Sequence, residues 1–317
     1  MGRKRKNAGR RAPWHDYRSR CIYHITLNKA AGIADFSHIE GIPGSREWKP
    51  RAVAHPAGEV IELALRAIKE RYPFIWIRRR CIMPDHMHFV IDVRKRTDVH
   101  LGEIIRAFKC ACSDIWEAEG KGAGVQFFED GYYDVILRGQ GQLKKMLDYV
   151  SDNPRRWLLR RDNPGWFRRY ILSDGENEYD AFGNLSLLDE WEINAVRIHR
   201  HYDDPQELIA QKRGWKETVE NDGILVSPFI SEAEKRVRDW AADNGGAIID
   251  ISTDRMGERY KPAGQYFDIC GEGRLLVISM PPGESGLSRA HCERMNKLAE
   301  FIASGGRLEE ARHGSRP

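Results

Sequence analysis

Pro84-Asp85-His86-Met87-His88-Phe89-Val90-Ile91-Asp92-Val93 is the stretch that decides the fold of the first half of this chain. It is apolar enough to be a strand, and the segment 74–82 before it predicts an adjacent strand, so we expect a hairpin. Because alternate residues of a strand point to opposite faces, His86 and His88 lie side by side. Two imidazoles so placed can bind one metal ion, although a bare His-x-His is also common among packed or solvated strand histidines.

A second motif lies in the segment 142–156, where apolar residues recur at the spacing of a helix. This spacing puts Tyr149 on a different side from the apolar stripe, with Asn153 one turn further along. A tyrosine and an amide can then face one partner. Since proline cannot continue a helix without losing a hydrogen bond, Pro154 predicts that the helix stops or kinks at Asn153.

Four segments in this order resemble the HUH single-tyrosine transposases, and most closely the REP-associated tyrosine transposases. The resemblance covers residues 14–165. The matching segments are Tyr23-His24-Ile25-Thr26, Pro84-Asp85-His86-Met87-His88, Gly131-Tyr132-Tyr133-Asp134-Val135-Ile136-Leu137-Arg138 and Asp148-Tyr149-Val150-Ser151-Asp152-Asn153-Pro154. The resemblance implies an α+β, ferredoxin-like antiparallel sheet with helices packed against one side and with the HUH motif. It also implies recognition of a palindromic stem-loop in DNA.

The same resemblance assigns roles to individual residues. Tyr149 is the expected nucleophile, and His86, His88 and Asn153 are the expected ligands of Mg²⁺ or Mn²⁺. The expected reaction is cleavage and strand transfer of single-stranded or hairpin DNA through a 5′-phosphotyrosine, as in a transposase or a domesticated relative. The alternative is a protein that binds structured nucleic acid without cutting it.

Several residues keep a second interpretation. Asn153 is also placed to cap a second helix that begins at Pro154, and the ring of Tyr149 can simply pack against the sheet. Tyr132 and Tyr133 are alternative nucleophiles, but alternation sends them to opposite faces of a strand. A single strand histidine such as His24 is usually packed or faces DNA.

Charge is distributed unevenly along the chain, whose net charge is +4. Residues 1–170 hold 33 Lys and Arg against 20 Asp and Glu, a net +13, and the remainder has a net −9. Such a basic half attracts a phosphate backbone. Candidate phosphate contacts are Arg78, Arg80, Lys144, Lys145, Arg155 and Arg156, each of which can instead be an ordinary solvated charge. Trp76, Trp116 and Trp157 are candidates for stacking on unpaired bases or for the core.

The length of 317 residues favours two domains. We predict a basic disordered arm at 1–13, the HUH domain at 14–170, a smaller α/β Rossmann-like domain at 171–305 and a tail at 306–317. The third segment alternates strands and helices, as a parallel sheet does, but no GxGxxG follows a strand, which leaves a dinucleotide site unsupported. The order of its elements and the segments Ser227-Pro228, Lys261-Pro262 and Gly273-Arg274-Leu275-Leu276 resemble the sheet of DNA-processing protein A, a single-strand DNA-binding protein.

Composition excludes several other classes of protein. No run of about 18 apolar residues occurs, so no membrane span is expected, and the basic start lacks the apolar segment of a secretory signal. The six cysteines form no CxxC pair or dense disulfide framework. We therefore expect a cytoplasmic protein that acts as a monomer or a homodimer on DNA.

Overall fold

The computed structural model describes residues 12–122, 124–199, 201–253, 255–257, 260–281 and 288–311. Most of the predicted arm at 1–13 and half of the predicted tail at 306–317 lie outside these ranges. The chain divides between Leu159 and Arg160 into two compact units of nearly equal length. Within the described residues, no helix has the length and apolarity that crossing a bilayer requires.

The first unit is an α+β unit built on an antiparallel sheet of four strands with the order β4-β5-β1-β6. The strands are β1 (Cys21–Asn28), β2 (Ser37–Glu40), β3 (Arg51–Ala54), β4 (Ile75–Ile82), β5 (His86–Val93) and β6 (Tyr133–Leu137). The helices are α1 (Pro56–Arg71), α2 (Leu101–Ala118) and α3 (Gln140–Asp162), the last of which continues past Leu159. Strands β2 and β3 form a separate hairpin.

The two faces of this sheet are covered differently. One face contributes the buried residues Tyr23, Ile25 and Phe89 to a core shared with α1 and α2. The other face places Val90 and Leu137 against apolar residues of α3. The expectation that the helices pack against one side is therefore wrong, since α3 covers the opposite face. Because His86 and His88 alternate with Met87 and Phe89, this second face is the one that carries the histidines.

Helix α3 does not stop at Asn153 but runs from Gln140 to Asp162 with Pro154 inside it. Proline lacks the N–H that would bond to the carbonyl of Val150. The side-chain amide of Asn153, the residue before the proline, donates to the carbonyl of Tyr149 one turn earlier, at 2.8 Å. Val150 and Leu158 remain buried against the sheet. Packing on both sides of the proline keeps the helix continuous, and Asn153 adds a side-chain hydrogen bond to the turn before it. No second helix begins at Pro154, so the capping interpretation of Asn153 is wrong.

The second unit contains a mixed sheet of seven strands with the order β13-β7-β8-β12-β11-β10-β9. Its strands are β7 (Arg169–Ser173), β8 (Glu178–Gly183), β9 (Ile193–Ala195), β10 (Ile224–Ser227), β11 (Ala247–Ser252), β12 (Leu275–Ser279) and β13 (Glu309–Glu310). Its helices are α4 (Pro205–Glu220), α5 (Glu232–Asp243), α6 (Gln265–Gly271) and α7 (Arg289–Ala303). A capping box of Ser231 and Glu234 opens α5.

Strands β9 to β12 are parallel and follow one another across the sheet. Helices α4, α5 and α6 pack on one face and α7 on the other. The order of these four strands never reverses, so they lack the switch-point crevice at which doubly wound sheets bind ligands. The antiparallel strands β7, β8 and β13 extend the sheet, and this unit is nearly as long as the first.

Candidate metal and nucleophile site

His86 and His88 present their ring nitrogens to each other on the face of the sheet covered by α3. Their Nε2 atoms lie 3.1 Å apart. Two adjacent ligands of an octahedral ion at about 2.1 Å from the metal are separated by about 3.0 Å, and two ligands of a tetrahedral ion at that distance by about 3.4 Å. The two nitrogens lie within hydrogen-bond distance of each other, and the same spacing suits neighbouring ligands around one ion.

Both imidazoles are held through their other ring nitrogen. Nδ1 of His86 lies 2.6 Å from Oδ1 of Asp85, and Nδ1 of His88 lies 2.9 Å from the hydroxyl of Thr26. The hydrogen bond from His86 also lowers the pKa of the Asp85 carboxyl. Because the δ nitrogens are engaged, the ε nitrogens are the ones presented as donors, which is the usual arrangement around a metal-binding histidine.

His24 belongs to the same cluster, and sequence reasoning left it outside. Its Nε2 lies 3.2 Å from Nδ1 of His88, and it is 94% buried, with a relative exposure of 6%. Burial lowers the pKa of its imidazole to about 4, so the ring is neutral at pH 7. Alternation along β1 puts His24 and Thr26 on one face, but only the register with β5 shows that this face is the one carrying His88.

Tyr149 comes from α3 to the same cluster. The centroid of its half-buried ring lies 5.8 Å from that of His88 and 6.1 Å from that of His24. The guanidinium carbon of Arg156 lies 5.5 Å from the centre of the tyrosine ring. The sequence motifs on β5 and α3 are therefore adjacent in space, with a positive charge beside the phenol.

Asn153 is buried one turn after Tyr149, with a relative exposure of 6%. Its Nδ2 is used by the carbonyl of Tyr149, which leaves Oδ1 as the atom suited to accept or to ligate. Among the described residues, no group of three or more His, Cys, Asp and Glu side chains is arranged to hold a metal. The ring nitrogens that the structure brings together here belong to His86 and His88, and Asn153 lies one turn after Tyr149 on α3.

Two of the predicted phosphate-binding arginines lie on β4. Arg78 donates from Nε and from a terminal nitrogen to Oδ2 of Asp92, at 2.9 and 2.6 Å. Arg80 pairs with Glu62 of α1 at 2.6 Å and therefore points to the face opposite the histidines. Both guanidiniums already have a carboxylate partner.

The four other predicted cations lie on α3. Arg155 forms two hydrogen bonds with Asp152, at 2.7 and 2.9 Å, and the side chain of Arg156 is only 11% exposed. Lys144 and Lys145 are exposed. The lysines are therefore the members of this set most open to a phosphate backbone.

The predicted stacking residues separate clearly by exposure. Trp116 is buried in the core beneath α2, and Trp157 is partly buried between α3 and the sheet. Trp76 is 48% exposed on β4, with the guanidinium carbon of Arg94 at 3.9 Å from its ring centre. Of the three, Trp76 is the one whose ring is open to solvent.

No family model matches the chain. An uncharacterized protein of Haemophilus influenzae is 22% identical over 163 residues, which cover 45% of this chain and 85% of that protein. A solved structure of a REP-associated tyrosine transposase bound to a REP hairpin is 14% identical, with a TM-score of 0.33, over 45% of this chain and 72% of that chain. A hydantoinase/carbamoylase family amidase from Burkholderia ambifaria is 11% identical, with a TM-score of 0.21, over 92% of this chain and 47% of that chain. TM-scores this low carry no argument about the fold or function of this chain.

Proposed function

We propose that the first unit cleaves and rejoins single-stranded or hairpin DNA through a covalent bond between Tyr149 and a 5′-phosphate. The observation that carries this proposal is the contact of three side chains on one face of the sheet. His86 and His88 converge with their Nε2 atoms 3.1 Å apart, and the ring of Tyr149 lies 5.8 Å from that of His88. A nucleophile beside a pair of metal-binding groups is what phosphodiester cleavage requires.

The residues present fit a divalent cation with open coordination positions. His86, His88 and Oδ1 of Asn153 would hold it, and the remaining positions would be left for water and phosphate. Bound Mg²⁺ or Mn²⁺ supplies positive charge next to the phosphate oxygens. Nitrogen ligands favour Mn²⁺, whereas water and phosphate favour Mg²⁺.

The protein's own groups account for the bond exchange. The phenol oxygen of Tyr149 forms a bond to phosphorus and loses its proton, while the bond from phosphorus to the 3′ oxygen breaks and that oxygen gains a proton. Arg156, 5.5 Å from the phenol ring, favours the negative charge that develops during this step. The phosphotyrosine conserves the energy of the broken bond, so the reverse reaction with another 3′-OH joins strands without ATP.

The test is to incubate the purified full chain with a labelled DNA hairpin that has unpaired flanks, in the presence of Mn²⁺. We expect an SDS-resistant protein–DNA adduct that disappears with EDTA and in Tyr149→Phe, because phenylalanine keeps the ring packing and removes only the nucleophilic oxygen. Tyr72→Phe, on a partly buried tyrosine of the same unit, serves as the matched control and should form the adduct normally.

Two results contradict the proposal. An undiminished adduct in Tyr149→Phe would assign the nucleophile to another residue. DNA binding that is indifferent to EDTA and to His86→Ala, with no adduct in any variant, would instead indicate a protein that binds structured nucleic acid without cutting it.

A further inference from the structure

Strand β6 exposes two large side chains on the same face of the sheet as the histidines. Tyr133 is 46% exposed and Val135 is 48% exposed. In the antiparallel register, Tyr133 is opposite Thr26 and Val135 is opposite His24, and directly paired residues point to the same face. Thr26 and His24 both contact His88, so this exposed patch adjoins the candidate site.

The rest of this face is covered further along the same strands. Leu137, two residues beyond Val135, is buried, and so is Val90 of β5, both against α3. The open part of the face therefore begins where α3 ceases to cover β6. Tyr133 and His88 are separated by one intervening strand, so about 10 Å divides their positions at the normal spacing of strands. This is the scale of one nucleotide.

We infer that Tyr133 and Val135 form a platform for an unpaired base of the DNA strand whose phosphate lies at Tyr149. The inference rests on the proposed function, because it places one nucleotide of that substrate. An exposed aromatic ring stacks on any base, and the apolar Val135 beside it extends the same surface. The neighbouring helix exposes Lys144 and Lys145, and residues 1–170 have a net charge of +13, which complements the backbone of such a strand.

The adjacent tyrosine provides an internal contrast. Tyr132, the residue immediately before β6, packs against the core that α1 and α2 share with the sheet. Tyr133, in contrast, retains its exposure on the face of the site. The role assigned to Tyr133 is contact with a base through its ring, so its hydroxyl is not required.

The test measures binding of the full chain to a labelled 15-nucleotide oligothymidine and to an abasic oligomer of the same length, without divalent metal. For Tyr133→Ala we expect the dissociation constant on oligothymidine to rise by about tenfold, the range found when a base-stacking aromatic is truncated. On the abasic oligomer, wild type and Tyr133→Ala should bind equally. Tyr133→Phe should stay within about twofold of wild type on both probes, because it retains the ring.

Trp191→Ala is the matched control, since Trp191 is an 86% exposed aromatic in the second unit; it should not change binding to either probe. Thermal unfolding checks that each variant is folded. The platform is refuted if Tyr133→Ala binds oligothymidine as tightly as wild type, if its loss is equal on the abasic probe, or if Tyr133→Phe loses as much as Tyr133→Ala. Since this assay needs no cleavage, failure of the platform and failure of the Tyr149 adduct are seen separately.

Discussion

Asp85 is the residue whose position best explains how His86 is oriented. Its carboxylate holds Nδ1 of His86 at 2.6 Å, although Asp85 itself is exposed and makes no contribution to the core. A carboxylate in this position fixes the ring and raises the basicity of the other nitrogen. Removing the carboxylate of Asp85 should therefore weaken metal binding and hardly change the free energy of unfolding.

For Asp85→Ala we expect the affinity for Mn²⁺ to fall by about 10- to 100-fold, the usual effect of removing a carboxylate behind a metal-binding histidine. Isothermal titration of the full chain with Mn²⁺ measures it. Asp98→Ala removes a second exposed carboxylate from the same unit and should leave the affinity unchanged. Equal affinities of Asp85→Ala and wild type would mean that Asp85 does not support His86 as a ligand.

Asp250, within β11, gives a prediction about stability. Burial raises the pKa of its carboxyl to about 6, although the hydroxyl of Tyr266 donates to it at 2.8 Å and acts in the opposite direction. Between pH 3.8 and about 6 the unfolded chain has lost this proton and the folded chain retains it. The contribution of Asp250 to stability therefore falls as the pH rises through this window and stays low above it.

We expect Asp250→Asn to raise the free energy of unfolding at pH 7 by about 1–2 kcal/mol, because the amide avoids the buried charge and still accepts from Tyr266. The full shift corresponds to about 3 kcal/mol, but the residue as a whole is only half-buried, so solvent screens part of it. Urea unfolding at pH 3.5 and pH 7 measures the effect, which should vanish at the lower pH. The exposed Asp189→Asn is the control, and a gain that is the same at both pH values would contradict the assignment.

At the scale of elements, the sequence predicts the long periodic segments well and the short ones poorly. Strand β5 lies within the stretch 84–93, and helix α3 contains the segment 142–156, because apolar residues recur in both with a clear period. The β2–β3 hairpin has only four residues in each strand, too few for alternation to be visible. Helix α2 begins after His100, whose ring accepts from the amide of Gly102, and not at the stronger capping residues Thr97 and Asp98.

In helix α3, packing against the sheet outweighs the tendency of Pro154 to end the helix. Pro154 predicts a stop, but Val150 before it and Leu158 after it are both buried against the sheet, so ending the helix would expose one of them. The bond from Asn153 to the carbonyl of Tyr149 supports the backbone where the proline disturbs it. No pattern in the sequence shows that α3 has a sheet on which to pack, so the local signal was the only one available.

A double-mutant cycle measures whether the side chain of Asn153 compensates for Pro154. Pro154→Ala restores an N–H for the carbonyl of Val150 and removes the clash of the proline ring with the preceding turn. Because α3 then depends less on the neighbouring side-chain bond, we expect Asn153→Ala to cost about 1 kcal/mol less in that background than in wild type. Urea unfolding of the two single variants and the double variant gives the coupling free energy. Ser151→Ala, which removes a hydrogen bond from α3 to the carbonyl of Leu147, is the control and should be additive with Pro154→Ala. Strict additivity of Asn153→Ala would show that its side chain does not compensate for the proline.

On the scale of the whole molecule, basic residues concentrate in the part of the chain that carries the candidate site. The net charge of +13 in residues 1–170 contrasts with −9 in the remainder. This contrast can be counted directly from the sequence, as can the Tyr149 and His-x-His motifs. The contact between those motifs cannot be predicted from the sequence, because it depends on the register of β1 with β5 and on the face of the sheet that α3 covers.

The positive charge of residues 1–170 leads to a prediction about how the affinity for DNA depends on salt concentration. Each phosphate neutralised by a lysine contributes about −0.7 to the slope of log affinity against log salt for a single strand. Lys144 and Lys145 are exposed on α3 beside the candidate site, so replacing both with Gln should make the slope shallower by about 1.4 if both contact phosphate. Lys216→Gln alters a lysine of the second unit that pairs with Glu220 at 3.3 Å, and it should leave the slope as it is. Binding of the full chain to oligothymidine between 50 and 200 mM salt measures these slopes. If the double variant and Lys216→Gln have equal slopes, the lysines of α3 do not contact the DNA backbone.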